Sequence, residues 1–492
     1  MTKEEIIGSN DVWVTGRKAV IGSIWLSISN YICFIINFGG GILLARLLMP
    51  EDFGIVALSV SIVTIFRSLS GWGFSVAVIK EEKNVQEVAN NIFFISFIMN
   101  FAILGLIFLS VIWLSNLYSK ITIVVLLIIA IFHTLRSLSF VYSAVIRKYM
   151  QLRKEALIMI NATVFSMGVG ILLAFSKYGV WSLLWREVTF SALIFCGNFL
   201  FSPLRLKFSV NKKIIKDFFN FGRNIFFSGL SENILNRTDR IVVGSLTGIA
   251  PLGLYNRGLY ISNMYNNLIG GVKGALLPTF SNIKSNKKLL EDTYTIVMRT
   301  IMHILIPFFL VLGLLSKEII LFLYGEKWLK VAPIFIILII YGCLAPLFDV
   351  NKLLHFALGD SKTVAKTRLL QVAFFLPAIF LFTYFGGING AAICLGIMTS
   401  MGFIVLLLSS AKKITVRYFD IFLLPILPAG IAFFMFLLFK EKIFALPSLF
   451  GKLMVSSIFI LIVYVLSSFI IEKKALFKEI RLVSKIIKKQ LK

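Results

Sequence analysis

The sequence is short of charge, and shorter still of acid. Only 15% of its 492 residues are charged, and 23 acids face 50 lysines and arginines. A soluble chain carries roughly 25% charge, so too little polar surface exists to coat a globule of this size, and a soluble enzyme is excluded. Cysteine is confined to Cys33, Cys196, Cys343 and Cys394, all in apolar runs and at no metal-ligand spacing, so each reads as a small buried apolar side chain. The three histidines, His133, His303 and His355, lie too far apart in sequence to suggest a local site. No glycine-rich phosphate loop follows a strand, and no paired-carboxylate or metal motif stands out. Proline is absent from the first six apolar runs.

What is present is apolar: 58% of residues are hydrophobic and phenylalanine alone supplies 48. Runs of about 20 apolar residues predict membrane-spanning helices over 19–45, 53–79, 89–114, 121–145, 156–176 and 179–201, then 218–246, 252–280, 289–315, 331–358, 369–384 and 388–411, and finally 419–439 and 449–471. These runs are continuous rather than alternating, so they are helices and not barrel strands. The expected fold class is an all-α polytopic membrane protein of about 14 spans. The first run is too long for a cleavable signal and serves as its own targeting segment.

The net charge of +27 is odd for so apolar a chain, and its location is informative. Loops on the side of the N-terminus, together with the tail, hold 31 cations, and the opposite face holds 9. The positive-inside rule therefore predicts both termini in the cytoplasm. The basic tail, 472–492, suits anionic lipid headgroups rather than nucleic acid.

The chain also repeats itself. Leu47 to Gly54 resembles Leu246 to Gly253, and the same offset of 199 carries Ser61, Thr64, Ser68, Gly71 and Ser75 onto Tyr260, Asn263, Asn267, Gly270 and Gly274. The spacing of 3, 4, 3, 4 puts each set on one helix face. A stripe of small and polar residues in span two thus has a counterpart in span eight. It reads as a lumen lining, because asparagine and tyrosine are bulkier than close helix packing wants. Repeats six spans long share one topology. The expected organisation is an N-terminal lobe, 1–201, a second lobe, 202–411, with its cytoplasmic linker 202–217, two extra helices within 412–471, and the tail.

Beyond the first turn of each run, ten cations fall inside the spans: Arg67, Arg136, Arg186, Arg223, Arg237, Arg240, Arg257, Lys273, Arg299 and Lys352. Apart from Glu291, Asp292 and Asp420 in the first turn of their runs, only four acids accompany them, Glu187, Glu232, Asp239 and Asp349. An intramembrane charge costs about 2.5–3.5 kcal/mol on insertion scales, so retained ones usually face a wet cavity and have a function. Arg223 lies near the cytoplasmic end and can snorkel. Arg186 with Glu187, and Asp349 with Lys352, partly neutralise one another, and Arg299 with His303 reads as a packing feature. The strongest lumen candidates are Arg67, Arg136, Arg237, Arg240 and Arg257, followed by Lys273 and Lys352 with Tyr260, Asn263 and Asn267. Asp239 sits within the second-lobe cluster to hold it in place. The cations suit phosphate or carboxylate oxygens, which makes the expected cargo anionic. Pro307, Pro346, Pro377, Pro425 and Pro428, with Gly39-Gly40-Gly41 in span one, are expected to interrupt their helices.

The residues from Ala45 to Leu58, Gly71 to Ile79, Asp239 to Gly244 and Pro251 to Arg257 resemble signatures of the polysaccharide-transport (Wzx-like) flippases of the multidrug/oligosaccharidyl-lipid/polysaccharide exporter superfamily. The resemblance covers essentially the whole chain and is silent about the sugar. It implies two lobes in a V that open alternately to either side, an undecaprenyl-pyrophosphate-linked sugar passing through a cationic lumen, and a polyprenyl tail left in lipid beside the two terminal spans. It implies the cell (inner) membrane, no catalytic residues, no bound cofactor, and a polysaccharide polymerase and chain-length regulator as partners. Relatives use ion gradients, so Glu232, Asp239, Asp349 and Glu187 are the candidates for H+ or Na+ coupling. A multidrug exporter of the same superfamily would want acids for cationic drugs, and span one has none. A membrane glycosyltransferase or polymerase would want a large outer loop, whereas the longest here, 316–330, has about 15 residues.

Overall fold

In the computed structural model the backbone is described for residues 3–81 and 84–490, and side chains for 21–79, 81, 84–220, 222–223, 225–266, 269–270 and 273–473. Among these no strand occurs. The chain forms two compact units, Met1–Asn256 and Arg257–Lys492.

The first unit holds α1 (Lys3–Leu47), α2 (Pro50–Ser68), α3 (Phe74–Lys80), α4 (Val85–Leu114), α5 (Lys120–Lys148), α6 (Leu152–Phe175), α7 (Val180–Phe201) and α8 (Lys212–Thr247), and the start of α9 (Ile249–Ser262). Helix α6 packs between α1 and α7, α5 touches α2, α3, α4 and α7, and α8 lies on α2 and α4. Leu44, Leu48, Met167 and Leu183 seal the first of these contacts. Val78, Ile92, Val141 and Phe218 seal α3, α4, α5 and α8. Asn211 starts α8 by accepting from the Lys213 backbone N–H at 3.1 Å, a side-chain cap that satisfies one of the helix's orphan donors. The helix therefore begins inside the expected linker.

The second unit takes the end of α9, then α10 (Tyr265–Ile283), α11 (Lys287–Leu314), α12 (Ser316–Leu323), α13 (Val331–Ala357), α14 (Ser361–Ala411), α15 (Leu424–Phe444) and α16 (Leu449–Gln490). Its core gathers Phe280, Tyr294, Phe309, Phe348 and Leu406. Helix α13 packs on α10, α11 and α14, and α15 pairs with α16. Helix α14 has 51 residues, about 77 Å if straight and far more than a hydrocarbon core of about 30 Å needs. It breaks at Gly387 (φ 55, ψ −140), a left-handed conformation that glycine adopts without a Cβ penalty. Gln371 Nε2 donates to the Met398 carbonyl at 3.1 Å, so the two halves run back along each other as two spans.

Ten helices among the described residues are long and apolar enough to cross a membrane: α1 from Ile21, α4 to α7, α11, α13, α14, α15 with the turn before it, and α16. Large apolar side chains point outward from them, Leu438 at 76% exposure and Ile470 at 77%, as lipid contact requires. The chain is a multi-pass helical membrane protein. Helices α2, α8, α9 and α10 are not among the ten: α9 is short, α2 and α8 carry several charges, and α10 is rich in asparagine and glycine. They are also the helices that hold most of the candidate site.

Several expectations are corrected. Span two is not continuous: α2 stops at Ser68, and the chain restarts as α3 after Gly73, whose φ is 76. Span eight breaks at Asn263-Met264, between α9 and α10. Gly39-Gly40-Gly41 does not interrupt α1; Gly40 lies so close to the Met167 thioether that a Cβ would meet it at 2.3 Å. Pro307 and Pro346 lie inside continuous α11 and α13, and Pro377 lies within the first half of α14, before the break at Gly387. Pro425 and Pro428 lie in α15, after a π-helical turn at Phe419–Leu423. Residues 316–330 are folded rather than a free loop, with α12 followed by a 3-10 turn in which Trp328 is fully buried.

The repeat is visible as a contact. A Cβ on Gly54 would lie 2.0 Å from the Ile249 carbonyl oxygen, and one on Gly253 would lie 1.8 Å from that of Pro50. Gly54 and Gly253 are separated by 199 residues, as are Pro50 and Ile249. The starts of α2 and α9 thus meet backbone to backbone in a reciprocal, two-fold-like crossing.

Candidate functional site

In the first unit four helices bring charge to one place, and a fifth, α1, adds a polar side chain. Arg67 stands in the last turn of α2. His133 and Arg136 are three residues apart on α5, and that spacing puts them on one face. Arg67 Nη1 lies 3.3 Å from His133 Nδ1, and His133 Nε2 lies 3.9 Å from a Glu187 oxygen on α7. Arg186 is 3.6 Å from the other Glu187 oxygen and donates to Asn37 Oδ1 of α1 at 3.1 Å. Arg67 and Arg136 repel one another, and Arg136 is drawn to Glu187. From α8, Arg237 also feels Glu187, together with Asp239 and Arg240.

Aromatic faces support two of these cations. The Arg136 guanidinium sits 4.8 Å from the Phe190 ring centroid, and that of Arg67 sits 5.8 Å from Phe140, distances at which the ring quadrupole attracts a cation. The buried Nε atoms of Arg67, Arg136 and Arg186 have no hydrogen-bond partner, although guanidinium donors are normally satisfied when buried. Asp239 is 2% exposed; it accepts from Tyr255 Oη at 3.0 Å and from Arg240 at 3.3 Å. Arg240 also donates to Asn256 Oδ1 at 3.1 Å and to the Asn236 carbonyl. Asp239 therefore anchors α8 to α9. Glu232 is exposed and accepts from Asn236 at 3.3 Å. Five guanidiniums, from Arg67, Arg136, Arg186, Arg237 and Arg240, surround two carboxylates, Glu187 and Asp239.

The second unit holds a smaller cluster. Lys273 donates to Asp349 at 2.6 Å and to Asn266 at 2.9 Å, and Lys352 lies 3.1 Å from the other Asp349 oxygen. The Lys273 ammonium sits 5.2 Å from the Tyr265 ring centroid. Tyr341 donates to Asn263 at 3.1 Å. Two lysines thus share one carboxylate, beside the neutral side chains of Asn263, Asn266 and Tyr341. Arg257 is 6% exposed and enclosed by the rings of Tyr260, Tyr324 and Trp328, 5.5, 5.2 and 5.7 Å from their centroids. The Asn267 side chain lies outside the described residues. On α2, Ser61 and Ser68 are buried, with their hydroxyls on carbonyls of their own helix.

Some members of these clusters were not apparent from the sequence. His133 joins the charge cluster although no other histidine lies near it in the chain. Asn37, Tyr265 and Tyr341 are ordinary residues until folded. Arg299 pairs with Glu472 of α16, and His303 Nε2 lies 3.1 Å from the same carboxylate. His303 Nδ1 meets Tyr464 Oη at 3.0 Å. The Arg299–His303 pair is thus a packing feature, and what it packs is the last helix.

The family described as polysaccharide biosynthesis protein matches residues 43–333, more than half the chain. The succinoglycan biosynthesis transport protein ExoT of Rhizobium meliloti (strain 1021) is 24% identical over 317 residues, spanning 63% of each chain. The teichuronic acid biosynthesis protein TuaB of Bacillus subtilis (strain 168) is 23% identical over 351 residues, 70% of this chain and 72% of TuaB. Among solved structures, the lipid II flippase MurJ in an inward closed conformation superimposes with a TM-score of 0.75 at 17% identity, covering 92% of this chain and all of that one. At that identity the likeness speaks for the fold, and the match over 43–333 for the family. This chain, a membrane-embedded helical protein with a MurJ-like fold, belongs to the polysaccharide biosynthesis protein family.

Proposed function

We propose that the protein is a flippase, which carries an undecaprenyl-pyrophosphate-linked oligosaccharide repeat unit from the cytoplasmic to the outer leaflet for O-antigen, capsule or exopolysaccharide assembly. The observation that carries this reading is the excess of guanidinium over carboxylate in the first unit, gathered from α2 and α8 and from the membrane-crossing helices α5 and α7. A pyrophosphate brings the anionic oxygens that such planar donors bind in pairs. No covalent bond changes. The protein gives a polar headgroup a route that hydrocarbon denies it.

In this reading the lobes 1–201 and 202–411 alternate in opening to either side, Lys273, Lys352 and Asn263 serve the headgroup in the second lobe, and α15 and α16 present apolar faces to the polyprenyl tail. Both termini are cytoplasmic, the membrane is the inner one, and the product passes to a polymerase and chain-length regulator. Support comes from ExoT and TuaB, named for succinoglycan transport and teichuronic acid biosynthesis, and from MurJ, named as a lipid II flippase. The test is complementation. In a strain whose own repeat-unit flippase is deleted, the wild-type gene should restore surface polysaccharide, and the double variant Arg67→Ala/Arg136→Ala should not, at equal membrane abundance. Full restoration by that variant overturns the reading.

A further inference from the structure

His133 is 5% exposed, and its two ring nitrogens face opposite charges. A guanidinium has donors and no acceptor, so Nδ1, 3.3 Å from Arg67 Nη1, must present its lone pair. The single proton of a neutral ring is then on Nε2, which has no hydrogen-bond partner and points at Glu187 across 3.9 Å. We infer that His133 is a proton site, at which an incoming proton and Arg67 compete for the Nδ1 lone pair. Protonation at Nδ1 breaks the Arg67 N–H···N bond, adds one positive charge, and draws the imidazolium toward Glu187. The displaced Arg67, with its Nε already unpartnered, becomes free to bind an anion.

The surroundings of His133 agree. Arg67 faces it from α2, Arg136 from its own helix, and Glu187 from α7, with Arg186 and Arg237 acting on Glu187. Helix α4 has no charged residue beyond Glu87. The acid of α6, Glu155, is bound by Arg147, about 20 Å along α5 from His133. The only charged residue of α3 is Lys80, whose side chain is not described. An anion that engages Arg67 and Arg136 removes the donor on Nδ1 and the repulsion around it. Proton binding and anion binding must then favour one another by reciprocal linkage. This last step rests on the flippase reading; the competition between proton and arginine does not.

The test is 15N-histidine NMR on the full-length protein in liposomes, with His133 identified by its absence from His133→Asn. The neutral ring of the wild type should show the Nε2–H tautomer, and Arg67→Gln should raise the titration midpoint by about one pH unit, tenfold in proton affinity. Inorganic pyrophosphate at millimolar concentration should raise the wild-type midpoint too. An Nδ1–H tautomer in the wild type, which is read without any substitution, overturns the proposal, as does a midpoint unmoved in Arg67→Gln. If Arg67→Gln raises the midpoint while pyrophosphate does not, the proton–arginine competition stands and the anion-binding reading of the cluster fails.

Discussion

Arg67 and Glu472 mark the two ends of what single residues disclose. An arginine in the middle of an apolar run is conspicuous in the bare sequence, and so is Arg136; both join the charge cluster. Glu472 sits just past an apolar run and reads as the first residue of a tail, yet it is fully buried and bound to Arg299, 173 residues earlier. His133 is hidden for a related reason, since Arg67 is 66 residues away and a lone histidine carries no spacing signal. Long-range pairing of polar side chains is decided by packing, which periodicity does not record. The buried pair supports a prediction. Glu472→Ala leaves Arg299, 3% exposed, without its carboxylate, and removing one partner of a buried pair typically costs about 3–5 kcal/mol. Thermal unfolding in detergent should drop sharply for Glu472→Ala and far less for the double variant Arg299→Met/Glu472→Leu. Equal losses would mean that the charge pairing is not what the site depends on.

At the scale of the helix, hydropathy locates the apolar elements and blurs those that carry the charge clusters. The run over 53–79 reads as unbroken because Gly71-Trp72-Gly73 is apolar, although α2 ends at Ser68 and α3 starts only after Gly73, which has positive φ. The glycine triplet in α1 misleads in the opposite sense: it accommodates Met167 and leaves the helix intact. The repeated segment places Gly54 and Gly253 at a close backbone crossing, which is testable. Alanine at Gly54 or at Gly253 puts a methyl into a backbone carbonyl, a shift that overpacking data put at about 1–3 kcal/mol. Each should lower the melting temperature by a similar amount because the contacts are reciprocal, whereas Gly105→Ala, with open space around it, should not.

A second element-scale prediction concerns pH. Asp360 caps α14 by accepting from Thr363 N–H at 3.2 Å, and it also binds His355 and the Lys413 ammonium. The hydrogen bond from Lys413 foremost, then those of Thr363 and His355, hold its carboxyl below the usual range. A depressed folded pKa gives stability that is complete above the unfolded value of about 3.9 and is lost as pH falls through the folded value. Melting temperatures measured from pH 5 down to pH 3 should fall less steeply for Asp360→Asn than for wild type. Parallel curves would remove Asp360 from the acid response.

Across the whole molecule the sign and place of charge matter more than its total. The excess of basic residues on one set of loops predicts that fusions of a cytoplasm-active reporter at Lys148 and Lys412 are active and that fusions at Lys177 and Lys440 are silent. The reverse pattern would invert the topology. The smaller excess, inside the helices, is the part on which the proposed function rests. It is legible in the sequence because ionised groups in apolar runs are rare and expensive; its geometry is not, because the charges of the first-unit cluster come from four helices. The most direct test reconstitutes the protein in liposomes with a fluorescent polyprenyl-pyrophosphate-linked sugar and follows its appearance in the opposite leaflet by external quenching. Singly replacing Arg67, Arg136, Arg237, Arg240 or Arg257 by alanine removes a charge-assisted contact, about 1.5–3 kcal/mol, and should slow transfer roughly tenfold or more. Transfer at the wild-type rate in all five would contradict a cationic route for the headgroup.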